Sequence, residues 1–268
     1  MMMAHYSPGN TLLHRLSPLA KLAVLIAYCI LIFSFDSLAF EAAALAVILV
    51  MAAATKSWQV YSIITSKFAG PMILTIFLMQ VIFTPAGTVY LTIPLHFFDI
   101  LITSLGIIKG LLMVLRLLTI ILASYLFVAT TDPTELAYAL MMAGIPYRYG
   151  FMVVTMLRFA PVFELEFSTV SNAQKIRGLE IDKGGVKLLI KSIRYTLVPM
   201  IVSALSKVDI LVISMEGRAF GYRRTRTFTR KVRYTPLDKG LIIFSVLIVV
   251  LLFVDGVTGW YPLPHLGV

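Results

Sequence analysis

The chain is poor in the residues that metal centres, disulfide frameworks and nucleotide-binding domains require. Its single cysteine, Cys29, lies inside an apolar run, so no internal disulfide and no zinc-type Cys/His cluster can form. Four histidines, His5, His14, His96 and His265, are scattered along the chain without a His-Glu-x-x-His pattern. No Gly-x-x-x-x-Gly-Lys-Ser/Thr run occurs, which excludes a P-loop, so any ATP used must be bound by another subunit. The reading therefore has no catalytic residue, no metal and no cofactor bound directly. Charge is also scarce, at 13% of residues, and acidic side chains number only 13.

Apolar residues make up 59% of the 268 positions and the mean hydropathy is +0.93. That balance excludes an ordinary soluble domain and implies an integral membrane protein. The net charge of +10 then marks cytoplasmic surfaces rather than a nucleic-acid interface. Apolar runs at 19–35, 38–54, 68–84, 107–128 and 241–254 each approach the roughly 20 residues that cross a bilayer core. The first could mimic a signal peptide, but it ends Ser34-Phe35-Asp36-Ser37 instead of in small residues, so it reads as a retained span. The last is short; it can extend to Leu237 and Val257, with Asp238 and Lys239 reaching towards the interface.

Basic residues set the orientation. Arg15 and Lys21 precede the first span, Lys56 and Lys67 separate the second and third, and 17 of the 23 Lys and Arg fall within 130–239. These segments are expected inside. Asp36 and Glu41, the loop at 85–104 and the tail from 255 carry no Lys or Arg and are expected outside. The expected fold is all-α, with about five transmembrane helices and long amphipathic cytoplasmic helices. It divides into a four-span membrane domain at 1–129, a cytoplasmic region at 130–239, and a final span with an external tail at 240–268. The N-terminus is inside and the C-terminus outside.

Within 130–239, Asp132-Pro133-Thr134-Glu135 has the pieces of a helix start, and a short helix should run to Met142. Gly144-Ile145-Pro146 breaks it. A second helix is expected from Tyr147, bent at Pro161, to Arg177-Gly178, and a third from Val186 to about Phe220, stopped by Gly221. Lys187, Lys191 and Arg194 share one face of the third helix, which favours a position along the membrane surface with the basic side towards phosphates or a soluble partner. Two further spans are the alternative, at the cost of burying Lys207 and Asp209.

Several other groups invite chemistry. Arg158 with Glu164 and Glu166 could form a paired-carboxylate site, but alternating acids splay around a helix, which favours a solvated face or an internal ion pair. Asp132 and Glu135 are explained by capping without a metal. Met141, Met142, Met152 and Met156 read as adaptable packing. The run Arg223-Arg224-Thr225-Arg226 with Arg230, Lys231 and Arg233 lies just before the last span, so anionic lipid headgroups suit it better than nucleic acid.

Four segments in order carry a family resemblance: Leu13-His14-Arg15-Leu16-Ser17-Pro18 with Lys21, Thr131-Asp132-Pro133-Thr134-Glu135-Leu136, Leu157-Arg158-Phe159-Ala160-Pro161, and Ala173-Gln174-Lys175-Ile176-Arg177-Gly178. Together with Ser214-Met215-Glu216-Gly217-Arg218-Ala219-Phe220-Gly221, they closely resemble the transmembrane T component of energy-coupling factor (ECF) transporters, the EcfT/CbiQ-like family, over 12–222. The resemblance implies two crossed coupling helices, each ending in a small residue, Arg and Gly. Here the copies read Ile176-Arg177-Gly178 and Gly217-Arg218-Ala219, with Ile for Ala in the first and Ala for Gly in the second.

In that family each arginine enters a groove on one subunit of a cytoplasmic ABC-type ATPase dimer, with Arg158, Glu216 and Gly221 in supporting positions. The implied partners are two ATPases, identical or different, and a membrane-embedded substrate-binding S component, all in a prokaryotic cell membrane. The implied role is a non-enzymatic coupling subunit for uptake of a vitamin or a nickel or cobalt ion.

Physical reasoning supports the pairing: a dimer has two equivalent grooves, and one chain must supply two roughly equivalent anchors. Arginine suits the role because its guanidinium stays ionised and grips a carboxylate bidentately. A lone Arg at a helix end would be explained by the helix dipole, worth about 0.3–1 kcal/mol; two at matched ends favour coupling. The alternative is an intramembrane enzyme acting on a lipid or lipid-linked substrate through Arg158, Glu164 and Glu166, which lacks a nucleophile–base pair.

Overall fold

A computed structural model describes residues 11–55, 69–84, 87–94, 99–178, 186–222 and 234–258. Nine helices and one hairpin occur among the described residues: α1 (Leu12–Arg15), α2 (Pro18–Ser34), α3 (Leu38–Ala54), α4 (Ala69–Phe83), β1 (Val89–Pro94), β2 (Asp99–Thr103), α5 (Ser104–Thr130), α6 (Pro133–Met142), α7 (Tyr147–Ile176), α8 (Val186–Glu216) and α9 (Pro236–Thr258). The protein is an all-α membrane protein. It separates into two compact units, one of Met1–Leu136 with Val232–Val268, the other of Ala137–Lys231.

In the first unit α5 is the hub, packed against α2, α3 and α4, while α9 packs along α2. One face of α3 is buried at Glu41, Ala44, Ile48 and Ala52, the three-to-four spacing of a helical stripe. Ile48 and Ala52 meet Leu122, Ala123 and Leu126 of α5 in the core. Small residues allow close approach of α4 and α5 as well. A Cβ on Gly110 would stand 3.0 Å from the Phe77 ring, and one on Gly106 would stand 3.2 Å from the Val81 carbonyl oxygen, so Gly106-x-x-x-Gly110 forms a small-residue seam.

Helix starts follow the sequence signals. Ser17 caps α2, its hydroxyl accepting from the Ala20 N–H, with Pro18 next. Asp132 caps α6, its Oδ1 accepting from the Thr134 N–H at 2.8 Å. Among the described residues, three helical stretches are long and apolar enough to cross a membrane: Ser104–Thr130, Ile193–Glu216 and Pro236–Val254. The helices α2, α3 and α4 are apolar but shorter, at 17, 17 and 15 residues.

Three sequence expectations change here. Residues 85–104, expected as a loop, contain the antiparallel hairpin β1–β2, paired from Val89 with Thr103 to Pro94 with Asp99 and irregular between Val89 and Leu91. The last span starts earlier, at Pro236. Asp238 does not reach for the interface: it is fully buried and accepts the Ser17 N–H at 2.8 Å. In α8 the stretch Ile193–Glu216 has the length and composition of a span, and Lys207 within it is paired with Glu166. Lys187 and Lys191 lie where side chains are outside the described residues; the Arg194 side chain is exposed.

A charged cluster joins α2, α3 and α5. Arg116 donates through Nε to Glu41 at 2.9 Å and through Nη2 to Asp36 at 2.8 Å and the Phe35 carbonyl at 3.1 Å. Its guanidinium also sits 5.4 Å from the Phe33 ring centroid. Arg116, in the middle of α5, is thus held by two acids.

Candidate functional site: the paired helix tips

The second unit is built on two long helices, α7 and α8, packed against each other. They run 30 and 31 residues, with Pro161 and Pro199 inside them. Glu166 of α7 accepts hydrogen bonds from the Ser203 hydroxyl and the Lys207 ammonium of α8. The Lys207 bond, followed by the Ser203 bond, holds the Glu166 carboxyl below its usual range. Of the acids and cation considered in the sequence, Glu166 thus forms an internal pair, with Lys207 rather than Arg158; Glu164 and Arg158 are exposed.

The end of α7 is set by Gly178. Arg177 is the cap residue, with φ −77° and ψ 8°, and its N–H reaches the Ala173 carbonyl at 3.2 Å. Gly178 adopts φ +84° and sends its N–H to the Lys175 carbonyl at 3.0 Å. Only a glycine reaches that backbone region without a Cβ penalty. Ile176 is 87% exposed, an unusual condition for a large aliphatic side chain at a helix tip.

The end of α8 has the same design with a different residue. The helix stops at Glu216, four residues before the expected Phe220, because Ala219 turns into the left-handed region at φ +52°. The Ala219 N–H reaches the Glu216 carbonyl at 2.9 Å and the Phe220 N–H reaches the Met215 carbonyl at 3.0 Å, the two bonds of a Schellman cap. Gly221, expected to be the stop, has φ +94° in the turn that follows. Arg218 therefore stands where Arg177 stands, immediately before a left-handed residue whose N–H returns to the carbonyl three positions back. Both arginines are exposed, and among the described residues neither guanidinium has a hydrogen-bonding or acidic partner.

The second tip is buttressed. The Phe220 ring lies 4.6 Å from Phe151 and 5.8 Å from Tyr147, and Arg148 reaches the Gly221 carbonyl at 3.5 Å. Beside it α6, α7 and α8 enclose an open cavity of about 860 Å³, lined by Arg158, Lys207 and Arg218 and by aromatic walls including Phe159. The α6–α7 corner is tight, since a Cβ on Gly150 would come within 2.0 Å of the Met141 side chain. Met141 is buried there, whereas Met142, Met152 and Met156 are exposed.

No local pattern signals the pairing of Glu166 with Lys207, which are 41 residues apart. Residues 179–185 lie outside the described residues, as does the basic run from Arg223 to Arg233.

A largely helical membrane protein whose second unit contains two long packed helices, each with an exposed arginine just past its end, defines a class rather than a family. Comparison with known proteins supplies the family. Residues 9–228 match the family of cobalt transport proteins designated CbiQ. The chain is 32% identical to the energy-coupling factor transporter transmembrane protein EcfT of Listeria innocua, over 94% of this chain and 97% of that one. It is 31% identical to EcfT of Streptococcus equi, over 94% and 96%, and 28% identical to EcfT of Bacillus subtilis, over 94% and 97%. The chain belongs to the EcfT/CbiQ-like family of transporter T components, and its role lies in membrane transport.

Proposed function

We propose that this chain is the coupling subunit of an ATP-driven importer, joining two cytoplasmic ABC-type ATPases to a membrane-embedded S component. The observation that carries the reading is the equivalence of the two tips. Arg177 and Arg218 occupy the same position relative to their helix ends, exposed and without a partner among the described residues. Two like anchors on one chain are what the two grooves of an ATPase dimer require. ATP binding in those partners draws the grooves together and moves both tips; α7 and α8, locked through Glu166, carry that motion as one body towards the S component.

In this reading 130–239 and the N-terminus face the cytoplasm and the C-terminal tail lies outside, in keeping with the distribution of Lys and Arg. The division at 129/130 and 239/240 marks where membrane and cytoplasmic roles meet. The cargo class is a vitamin or a nickel or cobalt ion, recognised by the S component rather than by this chain. The test is reconstitution of the complete transporter with Arg177→Glu and Arg218→Glu combined. ATPase-driven uptake is expected to vanish while the chain still inserts and retains its S component; uptake at the wild-type rate would overturn the proposal.

A further inference from the structure

The cavity of about 860 Å³ lies wholly within the second unit, and its two longer walls are stripes of the packed helices. Phe151, Thr155 and Arg158 come from α7, and Lys207, Leu211 and Ser214 from α8, each set at the four- and three-residue steps that put side chains on one helix face. Its charge is all of one sign. Arg158, Lys207 and Arg218 line it, and among the described residues no carboxylate does. Glu166 offsets Lys207 from outside the lining, which leaves two guanidinium groups. Arg158, like Arg218, has no hydrogen-bonding or acidic partner among the described residues.

Unpaired guanidinium groups in a concave site suit an anion, whose oxygens they bind in pairs. The walls suit more than an anion. The α8 wall belongs to Ile193–Glu216, a stretch with the composition of a span, and Ile210 on that wall is 64% exposed. A small soluble anion would leave this apolar surface in water, whereas an acyl chain laid along it removes it from water. Ligand pockets commonly measure about 300–1,000 Å³, so the volume has room for a phosphoglycerol headgroup and the first carbons of its chains. We propose that the cavity binds one anionic phospholipid, with its phosphate held by Arg158 beside Lys207 and an acyl chain lying along Ile210 and Leu211. Arg158 is the principal phosphate partner, because Arg218 is taken by an ATPase in the coupling reading. The lipid site goes beyond that reading and does not depend on it.

The test uses the full chain, purified in a non-ionic detergent and stripped of lipid. Native mass spectrometry counts bound lipid as dioleoylphosphatidylglycerol or dioleoylphosphatidylcholine is titrated. One phosphatidylglycerol should bind more tightly than phosphatidylcholine by about tenfold or more, and Arg158→Gln should weaken that site by a similar factor, the loss expected of a charge-assisted bond. Arg158→Lys should recover part of it. Leu211→Trp fills the cavity without changing a charge and should weaken the same site. Glutamine at Arg223, Arg224 and Arg226 together should leave it in place, which separates it from the basic run. Arg158 is exposed, so its glutamine variant keeps the fold, checked by an unchanged thermal midpoint. Equal phosphatidylglycerol affinity in the parent and in Arg158→Gln overturns the proposal, as does a loss confined to the triple variant. Displacement of the lipid by glycerol phosphate at equal affinity also overturns it, since that marks a site for a soluble anion. No ATPase or S component takes part in the titration, so its failure leaves the coupling reading standing.

Discussion

Arg177 and Arg218 hold the same place at the ends of two different helices: each directly precedes a residue with left-handed backbone, Gly178 at φ +84° and Ala219 at φ +52°. The equivalence is one of backbone geometry and does not depend on the neighbours being the same residue. A guanidinium at a helix end gains only about 0.3–1 kcal/mol from the dipole, which explains one arginine there but not two with matching caps.

The cap at Ala219 is strained where that at Gly178 is not. Left-handed backbone costs a non-glycine residue about 1–2 kcal/mol, partly offset by the greater chain entropy that glycine loses on folding. Ala219→Gly should therefore stabilise the second unit by about 0.5–1 kcal/mol, read as a higher midpoint in denaturant unfolding of the detergent-solubilised protein. Gly178→Ala should shift it the other way by a similar amount.

At the α6–α7 corner, Gly150 leaves no room for a side chain against Met141. Gly150→Ala should destabilise by about 1–3 kcal/mol, as overpacking does. Pairing it with Met141→Ala should recover much of the loss, and a double-mutant cycle on thermal unfolding measures the coupling.

Arg116 and Glu41 form a buried pair, with side chains 13% and 0% exposed. Removing one partner of such a pair costs about 3–5 kcal/mol, because the other charge stays buried. Glu41→Ala should fall at the lower end, since Arg116 keeps Asp36 and the Phe35 carbonyl. Replacing both by methionine should be much milder than either single change, a comparison made by thermal unfolding in one detergent.

The Glu166 carboxyl is held low by Lys207 and Ser203, so its contribution to stability is full above its unfolded pKa of about 4.3 and is lost as pH falls through the lower folded value. Acid unfolding of the parent should therefore include a loss below about pH 4 that Glu166→Gln lacks. Equal acid slopes in the two proteins would show that the pair contributes nothing to the linkage.

Most of the fold was legible wherever the signal was local. Ser17-Pro18 and Asp132-Pro133-Thr134-Glu135 announced helix starts, Gly178 announced a stop, and apolar run lengths placed α2, α3, α4 and α5. The end of α8 was misplaced because an alanine does the turning there, and alanine carries no stop signal. The hairpin escaped because a short apolar stretch between two spans lacks the Asn-Gly type of turn that marks a tight one. Asp238, Glu41 and Lys207 were out of reach for a different reason: their partners lie 221, 75 and 41 residues away, and nothing in a local pattern encodes such pairings. Both arginines of the candidate site were singled out in the sequence, and the structure adds that each directly precedes a residue with left-handed backbone.

The most direct test of the central claim is the number of ATPase chains held by each copy of this protein, measured by native mass spectrometry of the complex released from its own membranes. The wild type should carry two, Arg177→Glu and Arg218→Glu should each weaken retention, and the double variant should carry none while keeping its small membrane partner. Two ATPases retained on a folded double variant would contradict the account.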